Sequence, residues 1–211
     1  AVSRGKPQRL AVRPALRSAA GNWVTGEVTW STFSYRASRL EPAQLDWFTQ
    51  FAALHRASDG GYRASETDWL YLDDFDSPLI WPLLEAAALR GIPFLSGKKA
   101  EDVRVVGATD AAVEVSRDGV AGLRAEAIAS IDGERVHPTG YIGQHGTYVC
   151  RFEPALSVRL SPAAPAAIAA LTDVGDRVRI PRSDVAEFWR DYYPELAQRV
   201  VDSVRAGTSR P

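Results

Sequence analysis

Three carboxylates, Asp73, Asp74 and Asp76, follow the apolar run Trp69-Leu-Tyr-Leu72 and precede a helical pattern. Acidic side chains at the end of a strand can bind Mg²⁺ or act as acid and base. A simpler role is local: Asp76 or Ser77 caps the helix that follows, where negative charge suits the helix N-terminus. The spacing matches no calcium loop, because the glycine and terminal glutamate of an EF-hand are missing. Ser96-Gly-Lys-Lys99 follows a strand-like run but lacks the earlier glycine, and the Ser or Thr directly after lysine, that a phosphate-binding loop requires. It reads as a basic surface turn with weak backbone contact to phosphate as its residual chemistry.

His137, His145 and Cys150 are scattered through a β-rich stretch with no fourth partner, so no zinc site is expected. Gly143-Gln-His-Gly146 reads as a turn, and Cys150 as a buried, inert strand residue. His55 lies on an apolar helical pattern and reads as a packed core histidine. No nucleophile elbow is present. Of Trp23, Trp30, Trp47, Trp69, Trp81 and Trp189, most are expected to be core anchors. Trp23 and Trp30 are an odd number of residues apart, so in an unbroken strand one of them would face solvent.

The elements that must hold these residues fall into two textures. The lead-in 1–8 reads as flexible. Short β-like runs then carry Leu10, Val12, Trp23, Val24, Val28 and Trp30, broken at Gly21-Asn22 and Gly26. Glu41-Pro42 opens a helix with Leu45, Phe48, Phe51, Ala52 and His55 at helical spacing, and Asp59-Gly-Gly61 ends it. A second helix is expected from about Ser77-Pro78 to Gly91, its C-terminal cap, with Pro82 either beginning the regular helix or making its first turn irregular, and then a buried strand at Ile92-Pro-Phe-Leu95. From about residue 102 short strands dominate, with hairpin signals at Asp118-Gly119 and Asp132-Gly133. The C-terminal part is helical again: an alanine-rich helix over 162–171 interrupted at Pro165, a short strand at Val178 and Ile180, then a helix capped by Ser183 and kinked at Pro194. The expected fold class is α+β: α and β alternate in the first half, an antiparallel β meander fills the middle and helices end the chain. The expected domains are a 9–100 α/β subdomain and a 101–204 meander with C-terminal helices, ending in a frayed tail over 205–211.

Composition narrows the function classes. The apolar fraction of 45% is ample for a core, and the net charge of −1 argues against a bulk polyanion binder. The charge is unevenly placed, however: Arg4, Lys6, Arg9, Arg13 and Arg17 all precede the first acidic residue, Glu27. Such an arm is either a solvated face or a phosphate-contacting segment. Arginine far outnumbers lysine and alanine is abundant, as in proteins of GC-rich bacterial genomes. One cysteine permits no internal disulfide, so a cytoplasmic location is expected. The absence of any methionine leads us to expect that the chain starts inside a longer protein.

Several segments together carry a resemblance. They are Arg9-Leu-Ala-Val-Arg-Pro14, Trp23-Val-Thr-Gly-Glu-Val-Thr-Trp30, Pro42-Ala-Gln-Leu-Asp-Trp-Phe48, Leu54-His-Arg-Ala57, Leu79-Ile-Trp-Pro-Leu-Leu84, Ile180-Pro-Arg-Ser183 and Asp191-Tyr-Tyr-Pro194. In this order they resemble the region ahead of the motor core in actinobacterial DEAD/DEAH-box helicases of the SNF2 type. The resemblance covers roughly 9–200 and rests on aromatic and structural residues. It implies an accessory segment without Walker A loop, DExx box or zinc cluster, none of which occurs here. ATP and Mg²⁺ would belong to the motor lobes of the parent chain, which would be its partner together with DNA; no membrane partner is expected. Arg9, Arg13, Arg17, Lys98 and Lys99 are the candidate phosphate contacts. The alternatives are a stand-alone enzyme using Asp73, Asp74 or Asp76, and an interaction module docking through exposed aromatics such as Trp23 or Trp189.

Overall fold

A computed structural model describes residues 9–58, 69–95, 102–119, 122–151, 157–175 and 177–198; of Arg36, Ala37, Arg39 and Asp102 only the backbone is described. The lead-in 1–8, the helix stop at Asp59-Gly-Gly61, the Ser96–Lys99 turn and the tail 205–211 lie outside the described residues. The chain is α+β and forms two compact units, Ala1–Val103 with Glu153–Ser157 and Arg104–Phe152 with Val158–Pro211.

The first unit begins with β1 (Ala11–Val12), β2 (Ala15–Arg17) and β3 (Trp23–Thr25). Val28 and Trp30 are not strand residues. Gly26, at φ 94°, breaks the extended run, and a turn closed by Phe33 N–H to Thr29 carbonyl brings both side chains inward. A 3₁₀ segment, Phe33–Arg39, leads to α1 (Pro42–Ser58). Its buried side chains Trp47, Phe48, Phe51, Ala52 and His55 form one stripe at helical spacing. β4 (Leu70–Tyr71) pairs antiparallel with β1, β2 pairs antiparallel with β3, and α2 (Ile80–Leu89) completes the unit.

Aromatic rings fill this core. Phe51 is fully buried, stacks on Trp47 at 4.9 Å and on Trp30 at 5.4 Å, and meets Phe75 at 4.8 Å. The indole N–H of Trp47 donates to the Leu83 carbonyl at 2.6 Å, and that of Trp30 to Val12 at 3.1 Å, so neither buried donor is orphaned. His55 is buried and packs edge-on against Phe75 at 5.1 Å.

The N-terminal end of α2 differs from the capping expectation, and the C-terminal end agrees with it. Ser77 Oγ accepts from Leu79 N–H ahead of the helix, while Ile80 and Trp81 N–H bond to the carbonyls three residues back, a tight first turn that accommodates Pro82. At the other end Gly91, at φ 68°, donates to Ala88 and Ile92 donates to Ala87, which is a Schellman closure. No strand forms at Ile92–Leu95: Ile92 is drawn into the helix cap, and the segment continues without regular structure.

β5 (Asp102–Val105) carries the chain into the second unit. There follow β6 (Asp110–Arg117), β7 (Gly122–Ile131), β8 (Glu134–Val136), β9 (Gly140–Ile142), β10 (Gly146–Arg151) and β11 (Ser157–Pro162). β6 pairs with β7 in register from Asp110↔Ser130 to Arg117↔Leu123, and Ile131↔Glu134 leaves Asp132-Gly133 as a two-residue loop. Both loop residues have positive φ, 56° and 78°, which is the hairpin geometry that Asp-Gly favours. Gly143–His145 forms the loop between β9 and β10, and a second sheet orders its strands β5-β11-β10-β9.

α3 (Pro165–Val174) starts at Pro165 rather than being interrupted by it, since the first helical position needs no N–H. It packs on the sheet of β6, β7 and β12 (Val178–Pro181). The contact is made of small residues: Ala111, Ala125, Ala127, Ala163, Ala167 and Ala170 surround Ile168, Leu171 and Val174. Ser183 does not cap the final helix; its hydroxyl donates to Asp184, and a tight turn, Arg182–Asp184, opens the segment. A widened turn over Phe188–Tyr192 precedes the helical residues 193–198, so Pro194 enters a helix already loosened ahead of it.

Candidate nucleic-acid interface

Arg9 and Arg13 flank β1, and Arg17 ends β2, on two short antiparallel ribbons of the first unit. In β1 and β4, Ala11 faces Tyr71 and Val12 faces Leu70. Leu70 and Leu72 are buried, while Trp69 and Tyr71 lie on the other side of β4 and Asp73 follows in a 3₁₀ turn over Leu72–Asp74. Continuing the register sets Arg13 beside Trp69 and Arg9 beside Asp73. The contacts follow: the Arg13 guanidinium carbon lies 4.4 Å from the Trp69 ring centroid, and that of Arg9 lies 4.0 Å from the Tyr71 ring centroid. Trp69 remains 41% exposed.

Arg9 and Arg13 differ in charge state of their surroundings. Arg9 donates from Nε and Nη2 to both oxygens of Asp73, at 2.6 and 2.9 Å, and from Nη2 to Asp74. The hydrogen bond to Asp73 raises its pKa further above the ordinary arginine value, against the opposing effect of burial. The two aspartates thus neutralise Arg9 and hold it on the ribbon. This geometry also commits Asp73 and Asp74 to a guanidinium. Asp76 lies beyond them and is exposed. Arg13 has no carboxylate partner among the described residues; its only described contact of note is the indole face.

The second ribbon repeats the pairing. Leu16 faces Val24 and Arg17 faces Trp23, which is 38% exposed. Gly21, at φ 84°, closes the turn, and Arg17 Nε donates to the Gly21 carbonyl at 3.3 Å. Beside this ribbon an open groove of about 440 Å³ is lined by Leu16, Arg17, Ser18, Ala19, Val24 and Glu27. Of the five candidate phosphate contacts, the structure places Arg9 and Arg13 at the two ends of β1 and Arg17 at the end of β2, all in one unit. Lys98 and Lys99 lie outside the described residues.

The tryptophan partners were not assigned to the arginines from sequence. Their signal is a period of two: Trp69-x-Tyr71-x-Asp73 with Leu70 and Leu72 between, against Arg9-x-Ala11-x-Arg13. Trp30, Trp47 and Trp81 are core anchors, whereas Trp23, Trp69 and Trp189 are partly exposed. Trp23 and Trp30 do fall on opposite sides of the exposure divide, but through the turn after Gly26 and not through strand parity.

The other groups singled out are structural. His137 Nδ1 lies 3.1 Å from the Ala127 carbonyl. Cys150 sits in β10, and burial raises the pKa of its thiol. Among the described residues no three His, Cys, Asp or Glu side chains are grouped to hold a metal ion. Among them, too, no helix is long and apolar enough to cross a membrane. No family model, curated protein or solved structure matches the chain.

Proposed function

We propose that this chain is a non-catalytic accessory segment that contacts nucleic acid through Arg13 and Arg17 and serves an ATP-driven, SNF2-like helicase motor in the same bacterial, cytoplasmic parent. The observation that carries the proposal is the Arg13–Trp69 pair. A guanidinium lying on an indole keeps its charge and its N–H edge for a phosphate oxygen. Arg9, in contrast, acts on the ribbon itself by tying β1 to the turn after β4.

Binding that rests on arginine–phosphate contacts weakens steeply as salt rises, by roughly one unit of logarithmic slope for each contact. The test is an anisotropy titration of labelled DNA at several salt concentrations. R13A/R17A should bind more weakly than the parent sequence and should lower the salt slope by roughly two. Absence of binding at low salt, or binding indifferent to salt, overturns the proposal.

The contact with the motor lobes is assigned to the C-terminal aromatic surface, on the observation that Trp189 and Tyr192 are 44% and 43% exposed beside buried Phe188. Large aromatic side chains of this kind anchor protein interfaces. W189A/Y192A should then release the chain from a co-expressed motor, and unchanged co-purification would remove the assignment.

A further inference from the structure

We infer that the nucleic acid taken by this surface is single-stranded, its bases stacking on Trp23 and Trp69 while Arg17 and Arg13 hold its phosphates. The inference rests on the nucleic-acid reading above and names its ligand class. Arginines alone would suffice for a duplex, whose base faces are covered by their neighbours. What calls for explanation is the indole opposite each arginine. Both rings stay partly exposed, 38% for Trp23 and 41% for Trp69, although Trp30 and Trp47 of the same unit are buried to 8% and 2%.

Each of two ribbons sets an arginine opposite a partly exposed tryptophan. Arg17 faces Trp23 across β2 and β3, and Arg13 lies on Trp69 beside β1 and β4. They belong to one continuous stretch of chain, in which Arg13 and Arg17 are separated by Pro14, Ala15 and Leu16. An extended chain of that length reaches at most about 13 Å. Both arginines are therefore within reach of neighbouring nucleotides on one strand. Neither has a carboxylate partner among the described residues, so both can serve phosphates. A positive track alongside aromatic platforms is the general chemistry of sequence-tolerant single-strand binding.

The test uses the full chain with fluorescein-labelled oligothymidylate, oligouridylate and a blunt duplex of the same length, read by anisotropy and by quenching of tryptophan emission. The expected result is preference for the unpaired strands by roughly tenfold or more, with quenching on binding. Binding of either unpaired strand supports the inference, and the pair of probes tells DNA from RNA. W23A/W69A should lose roughly tenfold or more of its single-strand affinity, and W23F/W69F should retain most of it. R13A/R17A should weaken binding to every probe. Equal binding of duplex and single strands, or full single-strand affinity in W23A/W69A, overturns the stacking inference and leaves phosphate contact standing. No binding to any probe overturns both.

Discussion

The two units use arginine and core volume in opposite ways. In the second unit arginines join strands through carboxylates: Arg124 and Arg179 reach Asp118 at 2.9 and 3.3 Å, Arg177 reaches Glu126 at 2.8 Å, and Arg151 and Arg159 share Glu134 at 2.6 and 3.3 Å. In the first unit Arg13 lies on the exposed Trp69, and Arg17 is the cross-strand partner of the exposed Trp23; neither has a carboxylate ion pair among the described residues. Carboxylates hold the sheet-joining arginines of the second unit and Arg9 of the first, but among the described residues they pair with neither Arg13 nor Arg17. The cores differ too: one is a cluster of large rings, the other a close contact of alanines with branched side chains.

Truncation should therefore hurt the first unit most. Phe51→Ala removes the ring on which Trp30, Trp47 and Phe75 all rest, and should cost about 3–5 kcal/mol in denaturant unfolding. Amide exchange sharpens the comparison. Protection in α1 and α2 should fall while that in β6 and β7 holds. Equal loss in both would show that the units unfold as one, and the contrast between their cores would lose its thermodynamic meaning.

In the second unit the damaging change is enlargement. Ala167 is 1% exposed where α3 meets the sheet, so Ala167→Leu should cost about 1–3 kcal/mol by forcing helix and strands apart. Tolerance of leucine there would mean that the alanine contact is loose. A smaller loss, about 1 kcal/mol, is expected for Gly133→Ala, because the hairpin between β7 and β8 needs φ near 78° at that position.

The hairpins show why part of the fold is legible in the sequence. Asp132-Gly133 specifies its turn through two local backbone conformations, and the apolar stripe of α1 specifies a helix through its period. Gly91 marks the end of α2 in the sequence and closes it in the structure, whereas the four residues Ile92–Leu95 carry no period that separates a strand from the irregular segment found there. Ser183 and Ser77 misled for a related reason: a capping residue type does not fix which N–H its hydroxyl will meet. The candidate site was half legible. Arg9, Arg13 and Arg17 stood out because no acidic residue precedes Glu27, but their partners lie elsewhere in the sequence, as far as Asp74 for Arg9, and only strand pairing brings them together.

The pH dependence probes the sheet-joining arginines. The hydrogen bond from Arg124, with help from the charges of Arg179 and Arg177, holds the Asp118 carboxyl below the ordinary aspartate value. A lowered folded-state pKa contributes stability above the unfolded value, about 3.9, and that stability disappears as pH falls through the lower folded value. Asp118→Asn should thus be less stable than the parent sequence at neutral pH; the gap should begin to close as pH falls below about 3.9 and vanish below the lower folded value. A constant gap across the acid range would place the contribution in packing instead of charge.

The smallest effect on stability should come from Asp73→Asn with Asp74→Asn. Their ion pairs with Arg9 are exposed, and such pairs are worth about 0–1 kcal/mol. The same change removes two negative charges from beside Arg9 and leaves its guanidinium on Tyr71. If the first unit keeps arginines for a ligand, Arg9 then joins Arg13 and Arg17, and nucleic-acid affinity should rise with a steeper salt dependence. If affinity falls with stability unchanged, Arg9 is needed where the aspartates hold it, as part of the ribbon that positions Arg13. The division between structural and available arginines would then run between Arg9 and Arg13, inside the first unit, and not between the two units.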